Sequence, residues 1–125
     1  MKDNKIIFGL IGYYTAFLGL AVIVAWFQIL LNEPITEGKS ELIFHLFSEF
    51  IMALVCITGG YKFLKKQKTG LFLIVIAHSM IIYSVLNAAG YYAEKEKFAL
   101  TLVFLLLFII SVLVLATVSG YYKYL

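Results

Sequence analysis

Four long apolar runs separated by polar punctuation organise the chain: approximately Ile6 to Leu31, Leu42 to Leu64, Gly70 to Ala89 and Phe98 to Gly120. Crossing the hydrocarbon core of a bilayer takes about 20 helical residues at about 1.5 Å each, so every run is long enough to span. No water is present inside lipid to satisfy open peptide groups. A run of this length must therefore close its own backbone hydrogen bonds, which predicts α-helix in all four. The expected fold class is all-α: a four-transmembrane-helix bundle with antiparallel neighbours, forming a single transmembrane domain over residues 1–125.

The breaks carry their own signals. Asn32 to Ser40 holds the only proline, Pro34, together with Gly38, and Ser40 is the predicted N-cap of the second helix. Lys65-Lys66-Gln67-Lys68-Thr69 is short and cationic, which makes helices two and three antiparallel neighbours. Gly90 to Lys97 is the predicted third connection, with balanced charge. The first helix follows two lysines as a signal peptide would, but its apolar run is too long and has no A-x-A type cleavage site, so it is expected to be retained.

Composition sharpens this picture. Hydrophobic residues make up 63% of the chain, against roughly half in soluble domains, more apolar surface than a water-soluble fold of this size can hide. All ten positive charges behind the net +3 are lysines, and they sit at the ends of apolar runs, where they meet headgroups and water. That placement leaves no nucleic-acid footprint. The single cysteine, Cys56, excludes an internal disulfide and a cysteine-based zinc motif. Lys2, Lys5, Lys62, Lys65, Lys66, Lys68 and Lys123 fall on one side of the membrane, against Lys39, Lys95 and Lys97 on the other. Both termini are therefore expected to be cytoplasmic, in a multi-pass protein of the cell membrane whose first partner is the lipid bilayer. Trp26, Tyr91 and Tyr92 then belong to the outer aromatic belt, and Tyr121, Tyr122 and Tyr124 to the inner one.

Ionisable groups within a span are costly and call for a partner, an aqueous cavity or a function. Glu41, His45 and Glu49 recur every four residues along one face of helix two, and Met52, Cys56 and Gly60 continue the stripe. Ser79, Tyr83 and Asn87 have the same spacing on helix three, with His78 on an adjoining face. From the rise per residue, His45 lies about 6 Å and Glu49 about 12 Å below the outer end of helix two, with Asn87 about 3 Å and Tyr83 about 9 Å below that of helix three. His45, Glu49, Tyr83 and Asn87 are thus expected to form a ligand-binding pocket in the extracytoplasmic half, with Gln28 and Thr101 at compatible depths. The competing reading of Tyr83, Asn87, Ser79 and Thr101 is an interhelical hydrogen-bond network that pins helices together. Glu41, at headgroup level, is expected to be solvated.

Neither a metal nor a haem suits this set. His45-x-x-x-Glu49 offers two ligands where a catalytic zinc wants three, and a di-iron bundle wants several carboxylates with Glu-x-x-His repeats. His45 and His78 are separated by about 10 Å along the membrane normal, too far to share a haem. No cofactor is identified. His78 is expected to be hydrogen-bonded between helices and Cys56 to be a small core thiol. Gly9, Gly12, Gly19, Gly59 and Gly60 read as close-packing positions.

On His45-x-x-x-Glu49 followed by Gly59 and Gly60, then Tyr83-x-x-x-Asn87-x-x-Gly90-Tyr91-Tyr92, the stretch from His45 to about Lys97 resembles a group of uncharacterised small bacterial four-helix integral membrane proteins. A looser resemblance is to DoxX-like proteins and to sterol-isomerase-type and sigma-2-receptor-type bundles, which enclose polar cavities among their helices. In the isomerase-type proteins a His and a Glu on one helix act beside an Asn. The resemblance implies that role for His45, Glu49 and Asn87.

Three functions remain open on these residues. The first is a membrane protein that binds or transports a small amphipathic or lipid-like ligand or a cation through the pocket. The second is an enzyme doing acid-base chemistry on a lipid-soluble substrate, with Glu49 and His45 as acid and base. The third is a structural or assembly subunit, a homodimer or part of a membrane complex held by its small-residue faces.

Overall fold

A computed structural model describes residues 2–121, and among them the chain is four helices and no strand: α1 (Lys2–Asn32), α2 (Lys39–Leu64), α3 (Lys68–Glu94) and α4 (Phe98–Tyr121). The all-α class follows the four apolar runs. At 31, 26, 27 and 24 residues, the helices are about 36 to 46 Å long, more than the roughly 30 Å hydrocarbon core requires. Large hydrophobic side chains stay exposed along them, among them Phe17, Leu31, Phe44 and Leu102 at 66%, 80%, 74% and 67%. An apolar surface that continuous suits lipid and not water. All four helices are long and apolar enough to cross a membrane. The expectations for the side chains of Lys2, Tyr121, Tyr122, Lys123 and Tyr124 lie outside the described residues.

The chain divides into two compact units, Met1–Ile74 and Val75–Leu125. In the first, α1 and α2 run antiparallel along a seam of small residues. Phe8 stacks on Phe63 with ring centroids 4.8 Å apart. One turn further, a Cβ at Gly12 would stand 3.3 Å from the Gly60 carbonyl oxygen, and one at Gly60 would stand 2.6 Å from that of Gly12 and 2.9 Å from the Ala16 nitrogen. A Cβ at Gly19 would meet the Ala53 carbonyl oxygen at 2.7 Å and Cys56 Cβ at 3.0 Å. Gly12, Gly19 and Trp26 fall seven residues apart, the period of a left-handed helix pair that stays in register along its length. Gly59 gives the same close approach to Leu73 at the start of α3, and a side chain on Gly70 would collide with the Phe63 backbone. Gly9 departs from its expected packing role, for nothing lies within 4 Å of its would-be Cβ.

Two helix ends differ from the sequence reading. Helix α2 is capped by Gly38 in extended backbone, with Leu42 N donating to Gly38 O at 2.9 Å, so Ser40 sits inside the first turn instead of capping it. Glycine is an acceptable N-cap, and Glu41 in the first turn places negative charge at the positive end of the helix dipole. Helix α3 continues through Gly90, Tyr91 and Tyr92 to Glu94, where a connection was expected, because a lone glycine costs a helix only about 1 kcal/mol. The stop comes instead from Glu96, held left-handed at φ 57°, with Glu96 N donating to Ala93 O and Lys97 N to Tyr92 O. Lys66 at φ 58° ends α2 with the same pair of bonds, Lys66 N to Phe63 O and Gln67 N to Lys62 O. Both are Schellman turns with a charged residue where glycine is usual.

In the second unit, α3 and α4 are joined through His78 and Ser111, both fully buried, with His78 Nδ1 and Ser111 Oγ 3.1 Å apart. Tyr92 stacks on Phe104 near the connecting turn, centroids 5.5 Å apart.

Candidate functional site

The stripe predicted on α2 runs into the α1 seam. Glu41 is exposed at its outer end, while Met52 is buried and Cys56 and Gly60 are buried against α1. Cys56 is a core thiol facing Gly19. Between these limits His45 is 43% exposed and Glu49 13%. A carboxylate this covered at the edge of a span needs compensation, and the structure places His45 Nε2 at 4.0 Å from Glu49 Oε1.

The other ring nitrogen is occupied as well. His45 Nδ1 lies 3.1 Å from Glu37 Oε1 and 3.3 Å from Oε2, across eight residues of sequence. Glu37 reaches it because the Asn32–Gly38 connection folds its acid back over the first turns of α2 instead of running straight into the helix. Trp26 of α1 closes the third side, its ring in T-shaped contact with the imidazole, centroids 4.9 Å apart. Two carboxylates thus flank one imidazole beside an indole wall, within one unit. With the imidazole protonated and both carboxylates ionised the set carries one net negative charge; with it neutral, two.

Tyr83 and Asn87, the other members of the predicted pocket, belong to the second unit. The Tyr83 ring is 74% exposed, and Asn87 Nδ2 donates to the Tyr83 carbonyl at 3.2 Å. Ser79 and Thr101 likewise donate to the carbonyl four residues back, those of Val75 within α3 and of Lys97 just before α4, at 2.7 and 3.1 Å. Their hydroxyls bond locally, where an interhelical network was expected. The interhelical polar contact belongs to His78, whose partner Ser111 went unrecognised in the sequence. Its signal was present: Ser111 is the polar residue midway along the most apolar helix, and counting outward from the α3–α4 turn brings it to about the depth of His78.

Among the described residues, no group of three or more His, Cys, Asp and Glu side chains is arranged to hold a metal ion. A recess lies along the exposed face of α1, lined by Phe17, Leu20, Ala21, Val24, Ala25 and Gln28; of the positions weighed for the pocket it includes Gln28 alone.

Comparison with known proteins gives a family and no activity. The family model described as Domain of unknown function (DUF8058) matches residues 1–122. No curated protein and no solved structure matches the chain.

Proposed function

Because the chain belongs to the DUF8058 family of unknown function, we propose from its own residues that it is a multi-pass cell-membrane protein that binds a small amphipathic amine or other organic cation at the outer end of α2. Both termini are cytoplasmic in this reading, and the site opens to the extracytoplasmic side. What carries it is one observation: Glu37 and Glu49 on either side of His45, with Trp26 against the ring. Carboxylates that exceed the available imidazolium charge attract a cation, and an indole against the imidazole favours an ammonium with apolar substituents. An amphipathic amine places its tail along the neighbouring apolar helix surfaces while its head stays at the level of Glu37. Tyr83 and Asn87 enter this proposal from their spacing in the sequence alone.

A thermal-shift series with the purified chain in detergent tests the reading, using tetraalkylammonium ions and primary alkylamines of increasing chain length. Stabilisation that grows with chain length, disappears in Glu49→Gln and is kept or strengthened in His45→Ala supports it. Equal shifts for wild type and both variants remove it.

The same geometry favours a second reading, acid-base catalysis on a lipid-soluble substrate, since an imidazole held between two carboxylates is a proton-transfer arrangement. The loose resemblance to isomerase-type bundles lends it the residue set. A lipid extract whose isomer composition changes on incubation with wild type and not with Glu49→Gln distinguishes it from simple binding.

A further inference from the structure

The first unit is electrically polarised. Glu33, Glu37, Glu41 and Glu49 lie toward the end where α1 stops and α2 starts, with Lys39 as the one lysine among them. The opposite end, where α1 starts, α2 stops and α3 starts, carries Lys5, Lys62, Lys65, Lys66 and Lys68. Stacking of Phe8 on Phe63 and the contact of Gly12 with Leu64 bring the start of α1 beside the end of α2, so these lysines share one end of the unit. Among the described residues none of these five lysines takes part in an ion pair. All but the partly covered Lys62 are exposed.

We infer that this lysine-rich end is a binding surface for anionic phospholipid headgroups. The spans end here, which puts the ammonium groups at phosphate level, and Lys65 lies over the exposed Tyr61 ring at 5.7 Å, an aromatic of the kind that seats at the interface. Several cations at the foot of a span, outnumbering the single acid of that end, Asp3, gain charge neutralisation from an anionic lipid that a zwitterionic one cannot give. The turn after α3 supplies an internal comparison. It has the same backbone, with Glu96 in the position of Lys66, and the same tyrosine-lysine pairing, Tyr91 with Lys95 at 4.6 Å. Its lysines, however, alternate with Glu94 and Glu96, which cancels the field. Charge, and not turn geometry, separates the two.

Native mass spectrometry of the full chain tests this, with phosphatidylglycerol and phosphatidylcholine of matched acyl chains offered in equal amounts. Wild type retains phosphatidylglycerol in preference by about tenfold or more, and Lys65→Gln/Lys66→Gln/Lys68→Gln loses most of that preference, whereas Lys95→Gln/Lys97→Gln keeps it. Should the triple variant fold poorly, the salt dependence of wild type serves instead: the preference falls steeply between low and high ionic strength. Equal retention of the two lipids, a preference unmoved by the triple variant or by salt, or displacement of the lipid by millimolar inorganic phosphate overturns the inference, the last by marking a free-anion site.

Discussion

His78 Nδ1 and Ser111 Oγ lie 3.1 Å apart, both side chains fully buried, and tie the middle of α3 to the most apolar helix of the chain. Each group alone would be costly among aliphatic neighbours; together they form an interhelical bond. Ser111→Ala is expected to destabilise the protein on the order of 1 kcal/mol. The result to look for is a lower melting temperature in detergent, with a double-mutant cycle against His78→Phe showing coupling of the two positions. Additive losses would mean that the contact contributes nothing.

The α1–α2 seam makes a sharper contrast among glycines. Gly60→Ala puts a methyl group against the Gly12 oxygen and the Ala16 nitrogen, backbone atoms that cannot rotate away. A loss of about 1 to 3 kcal/mol follows from overpacking of this kind. Gly9→Ala meets open space and removes a helix-weakening residue, so it should stabilise by up to about 1 kcal/mol. Denaturation of both variants in mixed micelles reads the difference; equal effects would show that the close approach is not present in the folded protein.

Glu96 adopts a left-handed conformation that a residue with a side chain enters at a cost of roughly 1 kcal/mol. Glu96→Gly should therefore raise the melting temperature, and Glu96→Val should lower it. If valine were tolerated as well as glycine, the turn would not have this backbone.

The proposed orientation has a direct readout. Thr36→Cys should react with a membrane-impermeant maleimide in intact cells and Gln67→Cys only after permeabilisation, while native Cys56, fully buried, stays unlabelled in both. The opposite pattern would invert the topology.

The four helices were legible because each apolar run is long enough to leave helix as its one solution in lipid. Their ends were less so. Glu96 and Lys66 stop helices through a left-handed backbone that their residue types do not advertise, and Gly90, a usual stop signal, is simply carried within α3. The i,i+4 pair His45 and Glu49 was readable from helical spacing. Glu37 was not, since only the path of a proline-containing connection decides whether an acid eight residues upstream returns to the ring, and Trp26 was assigned to the aromatic belt without its contact to His45. Local hydrogen bonding of Ser79, Asn87 and Thr101 was the other surprise: a carbonyl one turn back is always within reach, whereas a partner on another helix depends on rotation about the helix axis.

The chain has a single tryptophan, Trp26, and it stands in edge contact with His45. Its fluorescence thus reports on the proposed cation site without a label. Titration of the purified protein with a long-chain alkylammonium should give a saturable change in Trp26 emission, weakened about tenfold or more by Glu49→Gln, the loss expected on removing one contacting charge. A wild-type signal that does not saturate, or a Glu49→Gln curve that overlays it, would contradict the account.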